Sequence, residues 1–199
     1  MPVTNGYATK EEIKAELGVP DAQDDSVIEQ CIEAASRLID ETCGRVFYQE
    51  VAQTRYYTAE DGDLLFVDDL VSVTSLATDD TGDRTYGTTW LTTDYDLEPD
   101  NAALRGKPYG WIRLSPAGNR AFPTARRGVK LIGTFGWPAV PPMVKRAARI
   151  QAARLFKRKD AIFGVVGSAE MGQMLVIPKL DPDVCLLLEK LVRPGVNAI

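Results

Sequence analysis

The sequence of 199 residues contains no histidine, only three cysteines and no long apolar run. Because histidine is absent, the chain cannot form a Ser-His or Cys-His nucleophilic pair, an HExxH metal site or the usual acid–base catalyst near neutral pH. Carboxylate and lysine chemistry remain open, but the composition disfavours an enzyme. No segment approaches the roughly 18 apolar residues of a membrane-spanning helix, and residues 1–12 lack the apolar stretch of a secretory signal. We therefore expect neither a membrane span nor secretion.

The three cysteines do not predict a disulfide framework. Cys31 and Cys43 fall in one predicted helix, where their separation corresponds to about 18 Å. This is well beyond the limit of roughly 7 Å between the Cα atoms of a disulfide. Cys185 is left over in an apolar stretch. We predict three buried free thiols, which fits a reducing cytosol.

Charge is distributed unevenly along the chain, although the formal net charge is only −5. Residues 1–104 contain 23 acidic and six basic side chains, whereas residues 105–159 contain 14 basic side chains and no acidic one. Asymmetry of this size indicates a nucleic-acid partner, a protein that carries the opposite charge, or a second copy of the same chain.

The N-terminal part of the sequence predicts two helices. Residues 9–12 and residues 26–29 each fit a capping box, in which Ser or Thr precedes Glu by three positions. Apolar residues then recur at helical spacing up to Thr42. Gly18 and Gly44 are placed where a left-handed residue would end each helix.

The C-terminal part predicts a long central helix and a shorter closing helix. Two prolines at 141 and 142 favour a helix over residues 142–159, with an alanine-rich apolar stripe. Asp181 and Pro182 predict the start of the last helix. Between the two helices, residues 160–180 are apolar and contain several glycines. This stretch is too long for an ordinary connection, so we predict a segment that is functional, mobile or packed on something outside the monomer.

Between the helical parts the sequence is rich in Thr, Val, Tyr and Trp and is interrupted by Gly and Asp. Short segments of this kind predict a small antiparallel sheet or barrel. We place the strands near residues 52–58, 64–67, 71–78, 84–86, 94–97, 111–115 and 129–135.

Two acidic clusters invite comparison with metal sites. Alternating oxygens could hold Ca²⁺, but an EF-hand loop that began at Asp94 would need glutamate where Arg105 stands. A solvated strand face is the preferred interpretation, and residues 79–83 similarly predict a hairpin turn. The first cluster consists of Asp94, Asp96, Glu98 and Asp100.

The basic central helix is the strongest candidate for an interaction surface. As a nucleic-acid surface it would contact phosphates without reading sequence. However, its cations surround much of the helix and few aromatic residues are interleaved. The alternative is a protein contact with the acidic N-terminal half, either within one chain or across a subunit boundary. We favour this protein contact over nucleic acid, and we expect it to form across neighbouring subunits. The candidate interface residues are Lys145, Arg146, Arg149, Arg154, Lys157 and Arg158 on the basic side, and Glu29, Glu33 and Asp40 on the acidic side.

Three segments together resemble the small head–tail connector (adaptor) proteins of tailed bacteriophages and related gene-transfer particles. Residues 7–48, in which a short helix and an acidic break precede a helix that ends in Thr-Cys-Gly-Arg-Val-Phe, are similar to the opening of that family. Residues 133–164 are similar to its central helix after a Trp-Pro turn, and residues 176–194 to its closing helix. The order of the three segments carries the resemblance, which covers about half of the chain. The β-rich stretch from about residue 50 to residue 135 departs from the smallest family members.

The resemblance implies a virion structural protein and not an enzyme. Copies would assemble side by side into a ring, typically of twelve subunits, beneath the portal of a filled capsid. The ring would continue the DNA channel without sequence-specific DNA contact and would dock a stopper or tail-completion protein. The resemblance implies no catalytic residue, cofactor or metal. It places the protein at the head–tail junction of the virion and, during assembly, in the host cytoplasm.

We therefore predict an α+β fold in three segments. Residues 1–49 supply an N-terminal helix pair, and residues 138–199 supply the long central helix, a flexible loop and a C-terminal helix. These two segments would form a helical core, into which residues 50–137 are inserted as an antiparallel β subdomain. A nucleic-acid-binding module that uses residues 142–159 is the alternative to the connector function.

Overall fold

The computed structural model describes residues 3–116, 120–160 and 180–193. Within these ranges it contains four α-helices and a six-stranded antiparallel sheet, which confirms the predicted α+β class. The chain divides into two compact units: residues 1–45 together with 140–199, and residues 46–139. The three-segment domain organisation and its boundaries stay predictions.

The first unit is helical. Helix α3 packs against the other three helices. Many fully buried positions of this unit hold small or branched apolar side chains, which allow the helices to approach closely. The helices are α1 (Lys10–Leu17), α2 (Asp25–Cys43), α3 (Pro142–Lys157) and α4 (Pro182–Leu188). The fully buried residues of this unit include Ile13, Ile28, Ile32, Ile39, Val144, Ala148 and Val184.

Local signals placed most helix ends correctly, with one exception. The capping box at Thr9 is confirmed, because its side chain accepts from the Glu12 backbone N–H and the Glu12 side chain accepts from the Thr9 backbone N–H. Gly18 and Gly44 both adopt the left-handed conformation at the helix ends. The second predicted capping box is wrong. Helix α2 begins before Ser26, and its N-cap residue, Asp24, makes no side-chain capping bond.

The C-terminal helices begin where the sequence predicted. Helix α3 starts at Pro142, and Asp181 caps α4 by accepting a hydrogen bond from the Asp183 backbone N–H. The α-helical part of α3 ends at Lys157, and a short 3₁₀ turn, Arg158–Asp160, follows. Most of the predicted functional segment, residues 161–179, and the tail, residues 194–199, lie outside the described residues.

The second unit is the sheet. Its strand order is β1-β6-β2-β5-β4, and β3 pairs with β2 beside this path. Every pairing among these strands is antiparallel. The strands are β1 (Glu50–Tyr57), β2 (Leu64–Thr78), β3 (Thr88–Thr89), β4 (Tyr95–Glu98), β5 (Tyr109–Leu114) and β6 (Val129–Phe135).

Two predictions about the strands are wrong, and each error has a physical cause. The segments 64–67 and 71–78 form one strand, β2, whose first half pairs with β5 and whose second half pairs with β6. Asp68 and Asp69 lie between the two predicted strands. However, Asp68 accepts hydrogen bonds from Arg55 and Tyr57, and Asp69 accepts one from the Trp137 indole, so partners distant in sequence satisfy both carboxylates.

The predicted strand at residues 84–86 is also absent. Arg84 and Tyr86 adopt positive φ angles of 63° and 52°, which a regular strand does not allow. The pairing with β2 is made by β3, at Thr88 and Thr89.

The core of the sheet unit lies on one face and is rich in branched and aromatic side chains. Strands β2, β4, β5 and β6 supply its buried residues, and β6 does so in strict alternation, as the pleat requires. The buried cluster consists of Ala59, Leu65, Val67, Leu70, Leu76, Trp90, Tyr95, Ile112, Phe122, Val129, Leu131 and Phe135.

Candidate interaction surfaces

Helix α3 separates an apolar face from a charged one. Val144, Ala147, Ala148 and Gln151 are buried, as the predicted stripe requires, but Leu155 is only half-buried and Phe156 is buried beside it. The buried amide of Gln151 accepts a hydrogen bond from the Asp181 backbone N–H, which satisfies a polar group in the core. The cations of α3 therefore point away from the helical core.

Two of these cations share one carboxylate of α1. Arg146 and Arg149 both contact Glu16, at 3.0 and 3.1 Å. Because Arg146 and Arg149 are three residues apart, they lie on the same side of α3, so one carboxylate reaches both. The sequence did not single out Glu16, one of three glutamates on α1. Nothing in its local pattern distinguishes it, since only the packing of α1 on α3 selects it.

Two further cations of this segment have partners in the same unit. Arg154 lies 3.5 Å from Asp181, and Lys159 lies 2.7 Å from Asp24. The Glu16 pairs and the Lys159–Asp24 contact bring the basic segment against the acidic N-terminal part inside one chain, whereas Arg154 pairs with the start of α4. Contact within the chain was the less favoured of the two arrangements that the sequence left open; the expected contact across neighbouring subunits stays a prediction.

The remaining candidate cations are oriented outward. Lys145 and Lys157 are exposed and Arg158 is half-buried. Among the described residues, no carboxylate lies within ion-pair distance of these three side chains. They are therefore the part of the basic segment with charge left for a partner.

The acidic candidates lie along α2 and contact local cations. Glu29 is 3.4 Å from Lys10, and Arg37 contacts both Glu33 (3.6 Å) and Asp40 (3.3 Å). The Tyr7 hydroxyl also donates to Asp40. These ion pairs of the acidic candidates are with cations of the N-terminal part, whereas those of Arg146, Arg149 and Arg154 are with Glu16 and Asp181.

The start of α2 is an ion-pair cluster with α1. Lys10 and Lys14 contact Asp25 at 2.9 and 2.7 Å. The hydrogen bond from Lys14, followed by that from Lys10, holds the pKa of Asp25 below its ordinary value. The bond to Asp25, followed by that to Glu29, raises the pKa of Lys10. These charges stabilise the pairing of α1 with α2.

An open cleft of about 480 Å³ lies beside the Glu16 pairs. Its lining combines apolar side chains with charges of both signs. Such a lining fits contact with a protein side chain better than a site for a small anion. The lining residues are Glu16, Leu17, Arg146, Ile150, Ala153, Arg154, Lys157, Arg158, Asp181 and Asp183.

The two acidic clusters of the sheet unit are engaged in internal contacts. Asp94 accepts from the Leu91 backbone N–H at 2.9 Å and lies 3.0 Å from Arg120. Asp79 accepts from the backbone N–H groups of Gly82 and Arg84 at 2.9 and 2.8 Å, as a turn residue does. In the part of the chain that the structure describes, no group of three or more His, Cys, Asp or Glu side chains is arranged to hold a metal ion.

The predicted free thiols are confirmed, but their burial differs. All three cysteines are free; Cys43 is buried, Cys31 is half-buried and Cys185 is exposed. Burial of Cys185 was therefore a wrong prediction. Val184 and Leu188 occupy the inner face of α4, and the residue after Val184 is rotated by about 100° away from that face.

Among the described residues, no helix is both long enough and apolar enough to cross a membrane.

Comparisons with known proteins agree with the resemblance drawn from the sequence. Residues 7–79 match the family model described as Phage gp6-like head-tail connector protein. No curated protein matches the chain. A solved chain from the neck of an empty gene transfer agent (GTA) particle, computed with C6 symmetry, is 18% identical with a TM-score of 0.56. The comparison covers 100% of this chain and 97% of that one.

Two other solved structures match in the same way. A chain from the neck of a native GTA particle, computed with C12 symmetry, is 19% identical with a TM-score of 0.53, over 100% of this chain and 97% of that one. A chain from the virion of a native gene transfer agent particle is 18% identical with a TM-score of 0.52, over 96% and 91%. The likeness establishes a shared fold along nearly the whole chain. The resemblance to head–tail connector proteins is confirmed by the family-model match over residues 7–79.

Proposed function

We propose that this protein is a head–tail connector, a structural component of the neck of a phage-like particle, because residues 7–79 match the connector family. That match is the observation that carries the proposal. The likeness of the whole fold to chains of GTA particle necks supports it. The role is structural and requires no catalytic residue or cofactor. The protein would act at the head–tail junction of the virion, after assembly in the host cytoplasm.

We further propose that copies of the chain form a closed ring beneath the portal. One of the similar neck structures was computed with C12 symmetry, which supports twelve copies. The ring would continue the DNA channel and dock a stopper or tail-completion protein on its other side. A ring of identical subunits requires two different, complementary surfaces on each copy.

The outward cations of α3 and the acidic side of α2 are suited to such a contact. Lys145, Lys157 and Arg158 have no described carboxylate partner, and Glu29 and Glu33 border an open cleft of about 470 Å³ on α2. Opposite charges on two surfaces favour association and set its register. Asp40 extends the acidic side. Arg146, Arg149 and Arg154 would contribute less, because carboxylates of the same chain already neutralise them. The acidic side is likewise partly neutralised, by Lys10 and Arg37.

The decisive experiment is negative-stain electron microscopy of the purified protein, alone and mixed with its portal. We expect rings on the portal, and the double substitution Lys145→Glu with Lys157→Glu should weaken their formation. The matched control is Arg105→Glu with Lys107→Glu, which changes two exposed cations of the sheet unit. A protein that stays monomeric and never binds portal would overturn the proposal.

Nucleic-acid binding by residues 142–159 is the competing function, and the ion pairs of Arg146, Arg149, Arg154 and Lys159 weigh against it. These pairs leave fewer cations for phosphates than the sequence indicated. Duplex binding with a steep salt dependence, abolished when Arg146, Arg149 and Lys157 become Glu, would favour this alternative. The connector proposal expects DNA to pass through the channel without such tight binding.

A further inference from the structure

The outer face of the sheet unit, opposite its core, carries two rows of side chains across β2, β5 and β4. In the first row Leu64 pairs with Arg113, and Arg113 pairs with Asp96. In the second row Trp111 lies between Phe66 and Glu98 in the same way. Because directly paired residues of antiparallel strands point to the same face, these side chains form one continuous surface.

The second row exposes aromatic area. Phe66 is 52% exposed, and its ring meets the Trp111 ring edge-on, with centroids 6.1 Å apart. Glu98 holds the Trp111 indole by a hydrogen bond and accepts from Arg113 at 2.6 Å. The Trp111 ring is therefore fixed in place before any partner arrives, which lowers the entropic cost of binding.

Carboxylates dominate the charge around this pair. Asp61 and Asp63 come directly before β2: the Asp63 backbone carbonyl accepts from the Leu114 backbone N–H at 2.8 Å, and the Asp61 carboxylate accepts from the Leu64 backbone N–H at 2.8 Å. The bond to Glu98, with smaller contributions from these two carboxylates, raises the pKa of Arg113. Asp96 adds a further carboxylate and is exposed. We call this set the acidic-aromatic surface: Phe66, Trp111, Asp61, Asp63, Asp96 and Glu98, with Arg113 as its one cation.

A second aromatic cluster lies on β1 and β6. Tyr56 and Lys130 are directly paired across these strands, and the Tyr86 ring lies 5.4 Å from the Tyr56 ring. The guanidinium of Arg127 stands 4.4 Å from the centre of the Tyr56 ring, and the Lys130 amine 5.8 Å from that of Tyr86. We call these four residues the basic-aromatic surface.

The basic-aromatic surface is also fixed in place and has unneutralised charge. The Tyr86 hydroxyl donates to the Arg127 backbone carbonyl at 2.9 Å. Within the described ranges, no carboxylate forms an ion pair with Arg127 or Lys130. Tyr56 is 40% exposed. Cation–aromatic contacts of this kind occur where a surface is kept both apolar and positive.

The strand order separates the two surfaces. β1 and β6 stand at one end of the order, and β5 and β4 at the other. Each surface presents preformed aromatic rings bordered by charge of mainly one sign, and the two signs are opposite. Aromatic residues surrounded by polar ones are typical of the energetic centre of protein interfaces.

We propose that the basic-aromatic surface of one copy docks on the acidic-aromatic surface of the next copy, so that neighbouring sheet units contact each other directly. This contact is additional to the proposed contact between α3 of one copy and α2 of the next, and it rests on the proposed ring. Charge complementarity favours a second copy over DNA as the occupant. DNA would account for the basic surface alone and would be repelled by the acidic one, whereas a head-to-tail contact uses both.

A charge swap tests the contact. The first variant carries Arg127→Glu and Lys130→Glu, the second Asp63→Lys and Asp96→Lys, and the third all four substitutions. In the presence of portal, sedimentation velocity should show that each of the first two weakens ring assembly by about tenfold. The third should recover most of it, because both surfaces are reversed. The Arg105→Glu, Lys107→Glu protein serves as the matched control and should assemble normally.

A neutral variant keeps the test valid if a charge reversal unfolds the sheet unit. Phe66→Ser removes exposed aromatic area without changing charge and should also weaken assembly. Normal rings from all variants would overturn this contact and leave the connector function intact. Failure of the unaltered protein to assemble on portal would overturn the connector function itself. If duplex DNA binding is lost in the first variant and not regained in the third, the basic surface binds DNA and the proposal is wrong.

Discussion

The indole of Trp90 lies flat against the ring of Phe122, with centroids 4.5 Å apart and planes 8° from parallel. The indole N–H donates to the Thr78 hydroxyl at 3.1 Å, so the polar end of this buried side chain is satisfied. Phe122 comes from the connection between β5 and β6, and the stacked pair anchors that connection to the core.

Replacing Trp90 with Ala should lower the free energy of unfolding by about 3–5 kcal/mol, because it removes a buried aromatic ring and leaves a cavity. Leu91→Ala is the matched control, since Leu91 is 65% exposed and its truncation should change stability by less than about 0.5 kcal/mol. Equilibrium denaturation monitored by circular dichroism would measure both. Equal effects of the two substitutions would contradict the importance of the stacked pair.

The two capping-box sequences provide a second matched comparison. Thr9→Ala should destabilise the protein by about 1 kcal/mol, because the Thr9 side chain satisfies the Glu12 backbone N–H at the start of α1. Ser26→Ala should change stability by less than about 0.5 kcal/mol, because Ser26 lies inside α2 and is exposed. Denaturant titration distinguishes them. A larger loss at Ser26 than at Thr9 would mean that the sequence signal, and not the observed geometry, marks the cap.

The sequence determined some helix starts correctly but did not determine the strands to the same extent. Helix starts at Thr9 and Pro142 followed from interactions within one turn, and the sequence predicted them correctly. The continuous strand through Asp68 did not follow, because Arg55 and Tyr57 satisfy that carboxylate only after β1 and β2 have come together.

The candidate surfaces were likewise predictable only in part. The sequence identified the cations of α3, and the stripe of alanines opposite them, from spacing alone. It could not identify Glu16 as the partner of Arg146, since that pair depends on how α1 packs against α3. The pairing of Phe66 with Trp111 was equally hidden, because strand register joins residues that are far apart in the chain.

Gly136 follows β6 at a point where the chain leaves no room for a side chain. Its φ is 97°, and a Cβ atom there would lie 1.9 Å from the Tyr48 carbonyl oxygen. Gly136→Ala should therefore destabilise the sheet unit by more than about 1 kcal/mol, through both clash and strain. Gly110→Ala, with no heavy atom within 4 Å of the added Cβ, is the control. Comparable melting temperatures for the two variants would show that the backbone at residue 136 can relax.

The ion pair between Arg113 and Glu98 should be visible in a pH titration. The Arg113 guanidinium, with a smaller contribution from the Trp111 indole, holds the pKa of Glu98 below its ordinary value of 4.5. A lowered pKa in the folded state means that this pair stabilises the protein above the carboxyl pKa of the unfolded chain. That stabilisation is lost as the pH falls through the folded-state pKa.

Arg113→Gln should accordingly raise the pKa of Glu98 toward 4.5. Carbon-13 NMR of the side-chain carboxyl would follow the titration directly. The control is Arg105→Gln, since Arg105 is exposed and its removal should leave the Glu98 titration unchanged. An unchanged pKa of Glu98 in the Arg113 variant would show that the pair is not formed in solution.

The three free cysteines should react with a thiol reagent in an order set by their surroundings. Cys185 is exposed, whereas Cys43 is buried, and burial raises the pKa of the Cys43 thiol to about 11. Because the thiolate is the reactive form, iodoacetamide at neutral pH should label Cys185 first and Cys43 last. Cys31 should fall between them, since its pKa is also raised by burial. Peptide mass spectrometry over a time course measures this order, and early labelling of Cys43 in the folded protein would contradict the packing of α2 at its C-terminal end.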